Sequence, residues 1–107
     1  MDFSIMAKNL EVDEEMFLIL VESLIKTVNK DLEILKESYG KRDIAAIVES
    51  SHRIKGSSIQ LGFTELAEPA KIIEFNARNE KLDNFFEYIS VIEAKRDEII
   101  NIQKTRK

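Results

Sequence analysis

One apolar stripe constrains this chain more than any other feature. Phe17, Leu20, Val21, Leu24, Val28, Leu32, Leu35 and Tyr39 recur at steps of three and four. That spacing lines one side of an α-helix and is incompatible with the two-residue alternation of a half-buried strand. A helix this long cannot bury its own stripe, so other elements must cover it. The remaining sequence supplies them in the same period. Ile44, Ile47, Val48, Ser51, Ile54, Ser58 and Leu61 share one face, and Leu66, Ala70, Ile73 and Ala77 another. Leu82, Phe85, Ile89, Ile92, Ile99 and Ile100 form a last stripe, which Arg96 interrupts from its edge. Only three glycines and one proline punctuate the chain, too few for a sheet protein with many turns.

The helix limits follow from local chemistry. Residues 2–8 read as a short leading helix with Phe3, Ile5 and Met6 as apolar contacts; it is too short to stand alone and must dock. Residues 9–12 are a link. Asp13 is a good N-cap, followed by Glu14 and Glu15 at the positive end of the dipole, with Val12 and Phe17 as a hydrophobic staple. Gly40 stands where a C-cap glycine belongs. The next helix opens near Asp43 and can end at Gly62. A fourth runs from about 63 to 79, where Pro69 is expected to kink it or to confine its regular part to residues beyond about 66. The last opens at Leu82 or Asp83, or at an Asn84–Glu87 capping box, and runs to about Gln103. Short links between four amphipathic helices predict an all-α fold, an antiparallel up-down four-helix bundle with a short extra N-terminal helix. Residues 1–107 read as a single domain, without repeats.

Composition excludes several functions. The net charge of -4 argues against nucleic-acid binding through phosphate neutralisation. The basic end, Lys104 to Lys107, reads as a solvated, frayed helix terminus. With no cysteine, the chain has no disulfide, thiolate metal site or thiol nucleophile, which suits a reducing compartment. The longest apolar run, Met16 to Val21, is far short of a membrane span, and no secretory leader is visible. The expectation is a cytoplasmic protein that binds neither membrane nor nucleic acid, and a monomer.

What chemistry remains is concentrated at one place. A single histidine rules out the usual zinc sites. Lys55-Gly56-Ser57 has the residues of a phosphate loop without its upstream glycine or preceding strand. The carboxylates are scattered over helix surfaces. His52 lies about 100° round the helix from the centre of its apolar stripe, which makes it an edge residue, partly exposed. Lys55 and Gly56 follow one turn along on the same side. A neutral imidazole is a competent nucleophile near pH 7. Lys55 can offset the charge of an attached phosphoryl group, and Gly56 clears the adjacent surface for a partner. Taken alone, each residue also has a bland explanation: an idle edge histidine, a snorkelling lysine, a helix-contact glycine.

The segment Ser51-His52-Arg53-Ile54-Lys55-Gly56-Ser57-Ser58-Ile59-Gln60-Leu61-Gly62 closely resembles the phosphorylation-site helix of histidine-containing phosphotransfer (HPt) domains. That family's pattern is His-x-x-Lys-Gly-Ser-[Ser/Ala]-x-x-[Leu/Phe/Val]-Gly. Downstream, Leu66, Ala70, Ile73 and Glu74 match its Leu-x-x-x-[Cys/Ala]-x-x-[Leu/Ile]-[Glu/Gln] helix, and Arg78 stands where a basic residue is frequent. The resemblance implies that His52 accepts a phosphoryl group, normally on Nε2, from the aspartyl phosphate of a response-regulator receiver domain and passes it to another receiver. Lys55 would stabilise the phosphoryl oxygens. Glu74 would hold the imidazole through Nδ1–H, and Arg78 would reach the phosphoryl group or pair with Glu74. No cofactor is implied on this chain; magnesium belongs to the receiver. A hybrid histidine kinase is a further possible partner. Docking would use an apolar patch, for which Ile5, Met6, Leu10 and Met16 are candidates, each with the alternative of packing inward.

The sequence departs from the family pattern at Pro69, at Ser51 where alanine is commonest, and at Asn79-Glu80, which lacks the usual glycine. Two other readings stand beside phosphotransfer. One is a module that binds a receiver or kinase without transfer, against which the intact His52 and Lys55 argue. The other is the phosphoacceptor domain of a chemotaxis-type or hybrid kinase, cut from a longer chain.

Overall fold

The computed structural model describes residues 1–106 and contains, among them, five helices and no strand. They are α1 (Phe3–Asn9), α2 (Glu14–Lys41), α3 (Ile44–Leu61), α4 (Thr64–Arg78) and α5 (Phe85–Thr105). The caps show why they begin where they do. Asp2 accepts from the amides of Ser4 and Ile5, Asp13 from Met16 at 2.7 Å, and Asp43 from Ala46 at 3.1 Å. Each carboxylate satisfies amides that have no partner within the helix and meets the positive dipole end.

The stripes face one another. α2 packs on α3, α3 on α4, α4 on α5, and α5 returns to α2. Phe17, Val21, Val28, Leu35, Ile47, Ile54, Ala70, Ile92 and Ile99 are all fully or almost fully buried in one core. The short α1 is held by aromatic packing. Phe3 meets Phe17 at 5.3 Å and Phe63 at 6.0 Å between ring centroids, both edge to face. These contacts join α1 to the start of α2 and to the α3–α4 link. At the opposite end of α2, Tyr39 stacks on Phe85 at 4.6 Å and so ties down the start of α5.

Several helix ends differ from expectation. Gly40 does not cap α2; the helix continues to Lys41 and Arg42 takes the left-handed conformation, φ 54°. The terminating bonds form all the same, Asp43 N–H donating to Ser38 O at 2.9 Å. The Arg42 guanidinium lies 4.8 Å over the Tyr39 ring, an attraction that offsets part of the backbone strain. Gly62 does end α3, with φ 90°. α5 begins later than Leu82 or Asp83, with Asn84 at the N-cap position but without the capping box. Asn84 has a left-handed backbone, φ 59°, and its side chain caps nothing, because capping needs an extended backbone there. α4 spans Thr64–Arg78, close to the expected 63–79, and runs unbroken through Pro69 instead of being confined beyond residue 66. The buried ring lies in its second turn, where only the Glu65 carbonyl loses its intrahelical donor. The basic terminus is engaged too: Arg106 pairs with Glu14 and with Asp2. Lys107 lies outside the described residues.

Glu80, at the turn after α4, also has a left-handed backbone, φ 57°. Glu80→Gly relieves this steric strain and is expected to raise stability by about 0.5–1 kcal/mol in urea denaturation, less whatever the freer unfolded chain takes back.

Candidate functional site

α3 lies between α2 and α4, and His52 sits on its outward side with 59% of its side chain exposed. Ser51, one residue earlier, is fully buried and its hydroxyl donates to the Ile47 carbonyl at 2.7 Å. A small side chain satisfied within its own helix lets α3 approach its neighbours closely at this level.

From α4, Glu74 reaches toward α3 and is itself 5% exposed. Its Oε2 lies 2.9 Å from His52 Nδ1, and its Oε1 is 2.8 Å from Lys55 Nζ. Arg78, one turn further on, donates to Oε2 from Nη2 at 2.8 Å and from Nε at 3.2 Å. Thus His52, Lys55, Glu74 and Arg78 meet around a single carboxylate. Burial pushes the Glu74 carboxyl up, but the hydrogen bonds from Lys55, Arg78 and His52 together outweigh it and hold the group down at about 2. Glu74 is therefore ionised at neutral pH and can only accept. The proton of the contact belongs to His52 Nδ1, so in the neutral imidazole the lone pair is on Nε2.

Charge adds to this arrangement. Lys55 and Arg78 bring two positive charges against the one carboxylate of Glu74. One positive charge remains beside the His52 ring. Lys55 is the more sheltered of the two cations, with 26% of its side chain exposed against 58% for Arg78. The cluster thus combines a nucleophilic nitrogen with an uncompensated cation at a solvent-facing surface, equipment suited to holding an anionic group transiently.

Gly56 has open space above it; a Cβ there would meet nothing within 4 Å. No contact inside the molecule requires glycine at this mid-helix position, although glycine costs about 1 kcal/mol there relative to alanine. Gly56→Ala is accordingly expected to stabilise the fold by about 1 kcal/mol, read as a higher melting temperature. A bulkier Gly56→Phe should fold equally well and yet impair any reaction that needs a partner close to His52. Normal transfer in that variant would contradict a clearance role.

The docking candidates divide. Ile5 and Met16 are exposed, at 57% and 46%, while Met6 and Leu10 are half-buried against the core. Met6 lies beside Gly62, ten residues along α3 from His52, or about 15 Å of helix. Ile59 is closer, two turns from His52, and 58% exposed. It was absent from the sequence-based candidates although its seven-residue offset from His52 marks it. Asp31 also escaped sequence analysis. It is buried within the apolar stripe of α2 and bound by Arg53, the residue after His52. An acidic side chain three residues after Val28 and four before Leu35 was the available signal.

Among the described residues, no group of three or more histidine, aspartate or glutamate side chains is arranged to hold a metal ion. No helix among them is long and apolar enough to cross a membrane.

Comparison with known proteins places this geometry in context. The family model described as the Hpt domain matches residues 19–102. The chain belongs to the Hpt domain family. As an Hpt domain it is a phosphotransfer intermediate of two-component signalling. The fold is similar to that of histidine-containing phosphotransfer protein B (HptB) from Pseudomonas aeruginosa PAO1, with a TM-score of 0.85 and 24% identity over 98% of this chain and 91% of that one. No curated protein matches the chain by sequence.

Proposed function

We propose that His52 is the phosphoacceptor of this Hpt domain, taking a phosphoryl group from a receiver-domain aspartate and delivering it to another. The single observation that carries this reading is the Glu74 contact at 2.9 Å, which occupies Nδ1 and leaves Nε2 as the free nitrogen of an exposed ring. Nε2 attacks phosphorus, the bond from phosphorus to the aspartyl oxygen breaks, and the carboxylate departs with the electron pair. No proton has to leave Nε2, and delivery to the next aspartate is the same step reversed. The positive charge left over from Lys55 and Arg78 offsets the phosphoryl oxygens. Magnesium comes with the receiver, and this chain needs no cofactor of its own.

The rest of the reading is of a piece with this. Residues 1–107 act as one domain, an antiparallel up-down bundle; the ring of neighbours in which each helix packs on the next and α5 on α2 supports that topology. Receiver domains are the partners, with a hybrid histidine kinase as a possible source of phosphate. The domain works as a monomer in the cytoplasm. Ile5, Met6, Leu10 and Met16 contribute to docking, with exposed Ile5 and Met16 the better placed.

The test is direct. The protein is incubated with a panel of phosphorylated receivers and followed for acid-labile, base-stable phosphate. Label is expected from at least one receiver. A panel that leaves the protein unlabelled while some receiver still binds it would favour a binding module without transfer. Label obtained only from an ATP-binding kinase domain would favour the excised-kinase reading.

A further inference from the structure

Two carboxylates are buried among the described residues, Glu74 and Asp31. Glu74 belongs to the His52 cluster, whereas Asp31 has no part in it. Asp31 is 2% exposed, flanked on its own stripe by Val28, Leu32 and Leu35. Its Oδ1 accepts from Arg53 Nε at 3.1 Å and from Nη2 at 2.9 Å. Its Oδ2 is buried without a hydrogen-bond partner. Arg53 also reaches Ser50 Oγ at 3.2 Å and Glu49 Oε1 at 2.7 Å.

Stability does not account for this acid. A carboxylate in the core is expensive, and half of its accepting capacity here is unused. Removing one partner of a buried pair is costly when the other charge stays buried, but Arg53 has 41% of its side chain exposed and keeps Glu49, so an apolar residue at position 31 leaves no buried charge behind. A directional contact does something that apolar packing does not. The buried face of α3 otherwise carries Ile47, Ile54 and Leu61 with three small serines, side chains that tolerate small rotations of one helix on another. The Arg53 fork has a fixed shape and engages one oxygen at two points, so it defines the rotation of α3. Arg53 directly follows His52, and fixing one around the helix axis fixes the other about 100° away. The His52–Arg53 pair is therefore anchored on both sides, His52 by Glu74 on α4 and Arg53 by Asp31 on α2.

We propose that Asp31, acting through Arg53, is a positioning residue for phosphoryl transfer: it sets the rotation of α3 that turns His52 Nδ1 to Glu74 and Nε2 to the partner. The proposal deepens the phosphoacceptor reading and rests on it. It concerns alignment of the ring and not binding of the phosphoryl group.

Asp31→Leu and Asp31→Asn test it. The leucine variant should melt at or above the wild-type temperature, yet take phosphate from a phosphorylated receiver about tenfold more slowly. The asparagine variant keeps a carbonyl oxygen for Arg53 and should transfer at close to the wild-type rate. Nitrogen-15 NMR of the free protein gives a second readout. In wild type and Asp31→Asn the Nδ1–H tautomer of His52 should dominate, and in Asp31→Leu both tautomers should appear. A leucine variant with wild-type transfer and the wild-type tautomer overturns the proposal. So does one that melts far below wild type, since stability would then explain the buried acid. If wild type itself takes no label, the phosphoacceptor reading falls, while the tautomer comparison still decides whether Asp31 orients the ring.

Discussion

Glutamine in place of His52 is expected to abolish phosphoryl uptake altogether while leaving the bundle folded. The side chain is mostly exposed and its one hydrogen bond is to Glu74, which keeps Lys55 and Arg78 without it. Loss of one contact at an exposed position costs at most about 1 kcal/mol, so circular dichroism and melting should change little. The chemical loss is total because no second histidine exists and the chain has no cysteine to substitute. The measurement is acid-labile, base-stable phosphate on wild type and variant after incubation with the same phosphorylated receiver. Label of equal amount and equal acid lability on the variant would show that the group is carried elsewhere. Glutamine can still accept or donate a hydrogen bond, so a binding-only module would behave identically before and after the change.

The second large effect is expected at Glu74. Its carboxyl titrates at about 2 in the folded protein against 4.5 ordinarily. A group with a lowered folded pKa contributes stability that is complete above the unfolded value and is lost as pH falls through the folded one. The window is therefore pH 4.5 down to about 2, and the difference corresponds to on the order of 3 kcal/mol. Glu74→Gln should lower stability at pH 7 by about 2 kcal/mol, somewhat less than the full amount because Lys55 and Arg78 can turn to water. The gap between wild type and variant should narrow as pH drops through that window, because protonation makes wild-type Glu74 resemble the amide. Urea denaturation at a series of pH values measures this. A gap that stays constant from pH 7 to 2.5 would mean that the carboxylate is not what stabilises the cluster. Phosphoryl uptake should respond differently. The glutamine carbonyl can still accept from His52 Nδ1–H, so Glu74→Gln should retain transfer. Glu74→Leu, which offers no acceptor, should lose about tenfold or more through the free choice of tautomer. Equal transfer in the two variants would remove Glu74 from the orienting role.

The two predictions bear on different parts of the same cluster. One concerns the atom that reacts, the other the group that decides which ring nitrogen is free to react. If the first holds and the second fails, His52 remains the carrier and the ring is oriented by the partner on docking.

Much of this protein was legible in the order of its residues. Five helices, the caps at Asp13 and Asp43, the terminating Gly62 and the main apolar stripes all depend on interactions within about four positions, which sequence spacing records directly. His52, Lys55 and Gly56 could be grouped for the same reason, since they stand within one turn of α3. Glu74 and Arg78 entered only through resemblance to a family pattern, because nothing local relates residue 74 to residue 52. Where local rules misjudged, neighbours in space had intervened. Arg42 took the left-handed cap with its guanidinium over the Tyr39 ring, α4 continued through a Pro69 whose ring is buried, and Arg106 found Glu14 and Asp2. The tertiary structure alone decided that the outward histidine meets one buried carboxylate, Glu74 on α4, and that its neighbour Arg53 meets another, Asp31 on α2. The physical reason is that such pairs depend on the rotation and register of whole helices, which the packing of the shared core determines. His52 by itself is a reactive nitrogen on a helix edge. Its tautomer and the charge beside it belong to the fold.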